Sequence, residues 1–222
     1  KATLTLADGT EVHVEEITAR VLQEKGMNIE YRNGEIVYHK SEEETTEVVY
    51  NKLEVPRGGE CMIKLDDGTK VWVNAETKLK YPVVFVGDRR EVVLEGEAFF
   101  DVAKNEKPFI VKTSFGDVWV LGTAFGISAY ASEPESYTTL VRGKVSVERE
   151  GMKPVVILPG EQVVTFKDGK MIYSLMDDNF LVSDFSKKDK NNKVIINAGG
   201  QECDLVYGPY MLVPSGKYAL TW

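Results

Sequence analysis

Apolar and polar residues alternate along most of this chain, and the alternation is densest from Leu65 to Tyr130. Val71 and Val73 flank Trp72 just after Asp67-Gly68. Leu94, Ala98, Phe100 and Val102 share one phase of the next run, while Glu95, Glu97 and Asp101 share the other. Val118, Trp119 and Val120 open a third. A period of two, broken by Gly, Asp and Pro, predicts short antiparallel strands. Trp72, Leu94, Phe100, Val102, Val120 and Phe125 are the predicted core of this stretch, because each holds an apolar phase or flanks a tight turn.

The flanking text continues the pattern. Residues 3–14 (TLTLADGTEVHV) read as two strands around Asp8-Gly9, and Ile29 to Tyr38 as a hairpin turning at Asn33-Gly34. Both dipeptides suit the positive φ of two-residue hairpin turns. Glu15 to Lys25 carries Ile17, Val21 and Leu22 on one face and is followed by Gly26, which predicts a short helix. Residues 41–47 (SEEETTE) have charge and no apolar anchor, so they read as a solvated connection. Downstream, hairpins are predicted around Arg142-Gly143 and Asp168-Gly169, with a break at Pro159-Gly160. Beyond Met176 come a lysine- and asparagine-rich loop, a short strand at Val194 to Ile196, and strands interrupted by Gly208-Pro209 and Pro214-Ser215-Gly216.

These elements predict an all-β fold of stacked antiparallel sheets, a jelly-roll or solenoid-like sandwich with a smaller hairpin-rich front unit. The corresponding division is residues 1–47 for the front unit, 48–176 for the main domain and 177–222 for a C-terminal β segment. Leu4 to Val14 and Ile63 to Val73 align without gaps through Asp-Gly-Thr. Either an internal duplication or shared turn chemistry accounts for this echo; a single short match favours the turn.

Composition narrows the function. The 222 residues are 43% hydrophobic, enough for a substantial core. Lys and Arg number 27 against 35 Asp and Glu, a formal net charge of −8. An acidic chain without a basic cluster is poorly suited to nucleic acid or to an anionic membrane surface. No apolar run approaches the ~20 residues that span a bilayer. Cys61 and Cys203 would close a long loop if paired in an oxidising compartment; the favoured reading is two free thiols, with Cys61 an apolar filler in a strand. With His13 and His39 as the only histidines, no metal-ligand spacing exists, and neither metal nor cofactor is expected.

Candidate chemistry is thin. Glu95 and Glu97 point the same way from one strand, but paired acid/base carboxylates come from facing strands, so the solvated face of a strand is the better reading. His13 and His39 sit in the front unit, away from any nucleophile elbow. Leu121-Gly122-Thr123-Ala124-Phe125 has too few glycines for a phosphate cradle and reads as a tight turn with a buried Phe125. Trp72, Phe99, Phe100 and Trp119 would serve a sugar-stacking platform, yet in alternating strands aromatics more often pack the core. Lys104 to Lys107 reads as an exposed loop tip before Pro108. The chain is therefore read as no enzyme.

The strings DDGTKVWVNAETKLKYP, REVVLEGEAFFDVAKNEKPFIVKT and VWVLGTAFGISAY, with YNKLEVPRGGE upstream and TTLVRGKVSVE and LPGEQVV downstream, resemble the periplasmic domain of FecR-like anti-sigma factors of the Bacteroidetes type. The chain has Gly126 where that family usually shows asparagine, and it lacks the tyrosine-to-tryptophan-glycine connection into a receptor-like signalling subdomain. The resemblance implies a periplasmic signal-relay domain of a single-pass regulator. Such a domain senses the signalling domain of a TonB-dependent outer-membrane receptor and controls an extracytoplasmic-function sigma factor through a cytoplasmic segment outside this chain. It also implies an inner-membrane anchor, and the start at Lys1 reads as a cut just after one. The competing class is a carbohydrate- or ligand-binding β-sandwich. Strand addition to a sheet edge would supply the receptor contact; the candidate docking strands are Val194, Ile195 and Ile196, and Tyr210, Met211, Leu212 and Val213, with closure of the last sheet by these strands as the equal alternative.

Overall fold

The chain passes back and forth between two sheets, and one long strand belongs to both. The computed structural model describes residues 1–19, 22–24, 26–40 and 48–175, with four short strands after them. The front supplies β1 (Thr3–Thr5), β2 (Glu11–His13), a 3-10 helix (Val14–Ala19), β3 (Leu22–Glu24), β4 (Met27–Arg32) and β5 (Glu35–Lys40). The middle supplies β6 (Tyr50–Val55), β7 (Cys61–Lys64), β8 (Lys70–Val73), β9 (Thr77–Pro82) and β10 (Arg90–Asp101). Then follow β11 (Phe109–Thr113), β12 (Gly116–Val120), β13 (Ala124–Ala129), β14 (Glu135–Arg142) and β15 (Val145–Glu148). The sandwich is completed by β16 (Val155–Ile157), β17 (Glu161–Phe166) and β18 (Met171–Leu175). Beyond it, β19 (Lys187–Lys188) pairs with β20 (Val194–Ile195), and β21 (Leu205–Tyr207) with β22 (Met211–Val213).

The first sheet has the order β2–β1–β6–β9–β10–β11–β12–β15–β16. The second has the order β3–β4–β5–β7–β8–β10–β13–β14–β17–β18. Pairing is antiparallel throughout both sheets except at β5–β7 and β10–β11, which are parallel. The departure from a purely antiparallel stack has a simple cause. Parallel neighbours need a crossover, and here the other sheet provides it: β6 lies between β5 and β7 in the chain, and the second half of β10 lies between its first half and β11. The expected all-β class holds, in a mixed and curled form.

Inward phases of the two sheets meet in one apolar core that includes Leu53, Leu79, Val92 and Val111 from the first and Ile36, Ile63, Val71 and Phe125 from the second. Phe100 is wholly buried, stacked on Phe125 at 5.3 Å and tilted against Phe109 of the opposite sheet at 6.1 Å. Leu94, Val102, Val120 and Phe125 are also buried, as their phase predicts. Trp72 is the exception. Val71 and Val73 take the inward phase of β8, so Trp72 must turn outward, where it is half-buried against Phe99 at 5.8 Å.

The predicted helix from Glu15 to Lys25 is replaced by the six-residue 3-10 helix and β3. Val14 and Ile17, three apart, both reach the core, which suits the three-residue period of a 3-10 turn. Leu22 then pairs with Ile29 in a strand ladder, a tertiary demand that outweighs weak helix propensity. Asn33-Gly34 forms the expected two-residue turn, with both residues at positive φ and Arg32 paired to Glu35. Asp8-Gly9 instead sits in a three-residue loop, closed by Leu6 N–H on Thr10 O at 2.9 Å and Gly9 N–H on Leu6 O at 2.9 Å. Asp67-Gly68 and Asp168-Gly169 repeat that pattern, and in all three the Asp carboxylate accepts from the backbone N–H two residues on. The third case shares no flanking sequence with the other two, so turn chemistry suffices to explain the echo. The solvated connection read at residues 41–47 lies outside the described residues.

Candidate functional site

Arg90, the first residue of β10, is only 2% exposed, and five hydrogen bonds hold its guanidinium. Nη1 donates to Asp67 Oδ2 at 2.6 Å and to Ala103 O at 3.0 Å. Nη2 donates to Lys107 O at 2.8 Å and Leu121 O at 3.1 Å, and Nε donates to Lys107 O at 3.1 Å. The ring of Phe109 lies 5.3 Å from the guanidinium carbon. Asp67 in turn accepts from Thr69 N–H at 2.9 Å and Thr69 Oγ1 at 2.7 Å, while Thr69 Oγ1 accepts from Ala103 N–H at 3.1 Å. One planar cation thus ties the β7–β8, β10–β11 and β12–β13 connections together. Every donor on it is committed, so the cluster braces the end of the sandwich and has none to offer a ligand.

The two carboxylates that invite a catalytic reading lie in different ladders. Glu95 is exposed, opposite Lys78 of β9 at 3.5 Å. Glu97 pairs with Ser128 of β13 and is 3% exposed. Its carboxylate accepts from Asn74 Nδ2 at 2.7 Å, and its backbone N–H donates to Thr77 Oγ1 at 2.9 Å. Burial pushes its pKa up, opposed by the hydrogen bonds from Asn74 and Ser128. Gly96 between them stands at φ 116°, where the strand leaves one sheet for the other. Among the described residues no facing carboxylate is paired across the ladder with either.

The aromatic candidates also separate. Phe99 and Phe100 are buried on opposite sides of β10, and Trp119 lies on the outer face of the first sheet. Gly122 backs onto Lys104, where a Cβ would stand 2.7 Å from Lys104 Cα, and the Thr123 hydroxyl donates to Lys144 O at 3.1 Å. The Lys104–Lys107 loop is exposed, yet its Lys107 carbonyl serves Arg90. Buried Cys61 is a free thiol whose pKa burial pushes up to about 12, an inert filler; Cys203 lies outside the described residues. Among the described residues no cluster of His, Cys, Asp and Glu is placed to hold a metal ion. Of the docking strands, Val194 and Ile195 fall in β20 and Met211, Leu212 and Val213 in β22, while Ile196 and Tyr210 lie outside the described residues.

One open groove of about 460 Å³ does appear on the outer face of the first sheet. Asp117, Trp119 and Glu148 stand on its strands, the turn through Thr113, Ser114 and Gly116 closes one side, and Arg149, Glu150, Met152 and Pro154 form the other. Sequence reasoning missed it because its walls come from β11–β12 and β15–β16, which meet only through the β12–β15 ladder. Arg149 is fixed in place by Phe115 O at 3.1 Å, Phe166 O at 3.0 Å and Lys167 O at 2.9 Å.

The family described as FecR protein matches residues 51–146, from β6 into β15, and so takes in the whole Arg90 cluster. Those residues are similar to a FecR domain. Two crystal structures of a candidate anti-sigma factor from Parabacteroides distasonis are similar to this chain. One, at 2.50 Å, has 35% identity and a TM-score of 0.56 over 60% of this chain and 62% of that one. The other, at 1.65 Å, has 36% identity and a TM-score of 0.55 over 58% of this chain and 61% of that one. The chain thus spans about three fifths of each. No curated protein matches it.

Proposed function

We propose that this chain is the extracytoplasmic signal-relay part of a single-pass anti-sigma factor. The observation that carries the reading is the match of residues 51–146 to the FecR family, beside 35% identity to a candidate anti-sigma factor over 60% of the chain. The relay receives the state of a TonB-dependent outer-membrane receptor through that receptor's signalling domain. It passes that state to an extracytoplasmic-function sigma factor by way of an inner-membrane anchor and a cytoplasmic segment. Its place is the periplasm, and its chemistry is binding rather than catalysis. The committed donors of Arg90 and the separated Glu95 and Glu97 support a non-enzymatic reading. Switching follows from a difference in affinity for the partner between two states.

Docking on the receptor is assigned to the strands at Val194 to Ile196 and Tyr210 to Val213, whose short apolar runs suit strand addition. A chain ending at Leu175 tests this. We expect it to keep its far-UV circular dichroism and melting transition but lose capture of the receptor's purified signalling domain, and the full chain with Leu212→Lys to lose it too. Undiminished capture by both would remove the docking assignment, and unfolding of the truncated chain would place those strands in the core instead.

A further inference from the structure

The groove on the outer face of the first sheet lies beside that sheet's last strand. Trp119 pairs with Ser146, and Ser146 with Val156, so these side chains form one outward row running from the groove to the edge. Among the described residues β16 has a ladder with β15 alone, and β17 and β18 approach it without pairing. The edge is strongly apolar: Val155, Val156, Ile157 and Leu158 run consecutively between Pro154 and Pro159. Val156 is 46% exposed, Leu158 55% and Met152 45%. Soluble domains usually blunt such an edge with a short strand, proline, charge, a bulge or a cover, because free backbone N–H and C=O groups recruit a further strand. Here Pro154 and Pro159 bound the edge, and Leu158 commits its N–H to Glu161 Oε2 at 2.6 Å and its C=O to Glu161 N–H at 3.0 Å, so only Val155 to Ile157 is left for pairing, with Val156 carrying no charge.

The groove adds selectivity. Glu148 and Glu150 carry no ion pair among the described residues; Glu148 accepts only from Ser146 Oγ, at 3.2 Å. Asp117 is matched by Lys112 at 2.9 Å, while Arg149 keeps its charge and is pinned away by three carbonyls, so Glu148 and Glu150 together outweigh it and leave the wall net negative. The indole N–H of Trp119 is buried with no acceptor among the described residues. A buried donor without a partner is costly, and a shift of the ring on binding would let it find one.

We infer that β16 and this groove form a docking site for an extended segment of a partner protein, one with alternating apolar side chains and a flanking basic residue. The segment adds to the first sheet along Val155–Ile157, its apolar side chains lie over Val156, Met152 and Trp119, and its cation meets Glu148 and Glu150. The flanking prolines, which lack N–H donors, limit the ladder to a short stretch. Selectivity therefore rests on the groove. The site uses none of the residues assigned to receptor docking and does not depend on that assignment.

The test uses the full chain and two synthetic peptides, acetyl-KTVTVTVK-amide and acetyl-ETVTVTVE-amide, with binding read by tryptophan fluorescence and by backbone amide shifts along β15 and β16. The lysine peptide should bind about tenfold more tightly than the glutamate peptide, since like charges across an interface are penalised. Glu148→Lys with Glu150→Lys should reverse the preference. Val156→Lys should abolish binding without moving the melting transition, whereas Val156→Thr, which keeps strand propensity, should retain it. Equal affinity for the two peptides, no binding of either at millimolar concentration, or indifference to Val156→Lys would overturn the site. So would shifts at Trp119 produced by an N-acetylglucosamine trimer and by neither peptide, which would make it a sugar groove.

Discussion

Glu97 shows how one buried group reports on its surroundings. It is 3% exposed, has no cation among its described neighbours, and accepts hydrogen bonds from Asn74 and Ser128. Tyr130 is the ionisable group that feels its charge. Burial disfavours the charged form, so the folded pKa lies above the 4.5 of a free glutamate. The stabilisation from proton uptake is then complete below about 4.5 and is lost as pH rises through the folded value. Glu97→Gln keeps the acceptor for Asn74 and removes the titration. We expect the variant to have a higher urea midpoint than the parent at pH 7.5, and the gap to narrow as pH falls, closing only below about 4.5. Parallel pH profiles for the two proteins would show that Glu97 stays charged in the fold. Arg90 is the opposite case: a buried charge kept in place because Asp67 and three carbonyls satisfy it.

At the scale of elements, β10 decides the architecture. Its first half pairs with β9 and β11, its second with β8 and β13, and Gly96 marks the change of sheet. At φ 116° an L side chain is strained, and a Cβ there would stand 2.4 Å from Thr77 Oγ1 and 2.8 Å from Thr77 Cα. Thr77 cannot withdraw cheaply, since its hydroxyl receives the Glu97 N–H at 2.9 Å. Gly9, at φ 86° with open space around it, carries the backbone strain alone. Strain of that kind costs about 1–3 kcal/mol. Gly96→Ala should therefore lower the urea midpoint clearly more than Gly9→Ala. Equal losses would mean that the corner at Thr77 is loose.

For the molecule as a whole, the front strands are built into the same sheets as the residues similar to a FecR domain. Leu4 pairs with Leu53, and Ile36 with Ile63. Across the core, Asn51 Nδ2 donates to the Tyr38 hydroxyl at 2.9 Å, and the hydroxyls of Tyr38 and Tyr81 share a hydrogen bond of 2.9 Å with their rings edge to face. Such shared ladders and a buried polar link couple the two parts. We expect residues 1–175 of the intact chain to unfold in one transition, with tryptophan fluorescence and far-UV circular dichroism coincident in urea. Two separated transitions, the first removed by deleting residues 1–47, would show that the front unit folds on its own.

What the sequence determined by itself is local and periodic. Alternation placed the strands and put Phe100, Leu94 and Val120 inside, because a pleated strand sends successive side chains to opposite faces. Asn33-Gly34 announced its turn because few other dipeptides tolerate positive φ at both positions. The blocks from Tyr50 to Val164 pointed to the FecR family before any coordinate did. Tertiary structure alone decided which of two apolar phases turned inward in β8, and so where Trp72 went. It also turned a helical pattern at Glu15 into a 3-10 turn and a strand. The Arg90 cluster and the Trp119 groove were invisible for the same reason. Asp67, Arg90, Ala103, Lys107 and Leu121 are far apart in the chain, and only the ladders joining the sheets bring them within hydrogen-bond reach. Periodicity reports what a residue does within its own strand; which strands become neighbours is a property of the closed sheet.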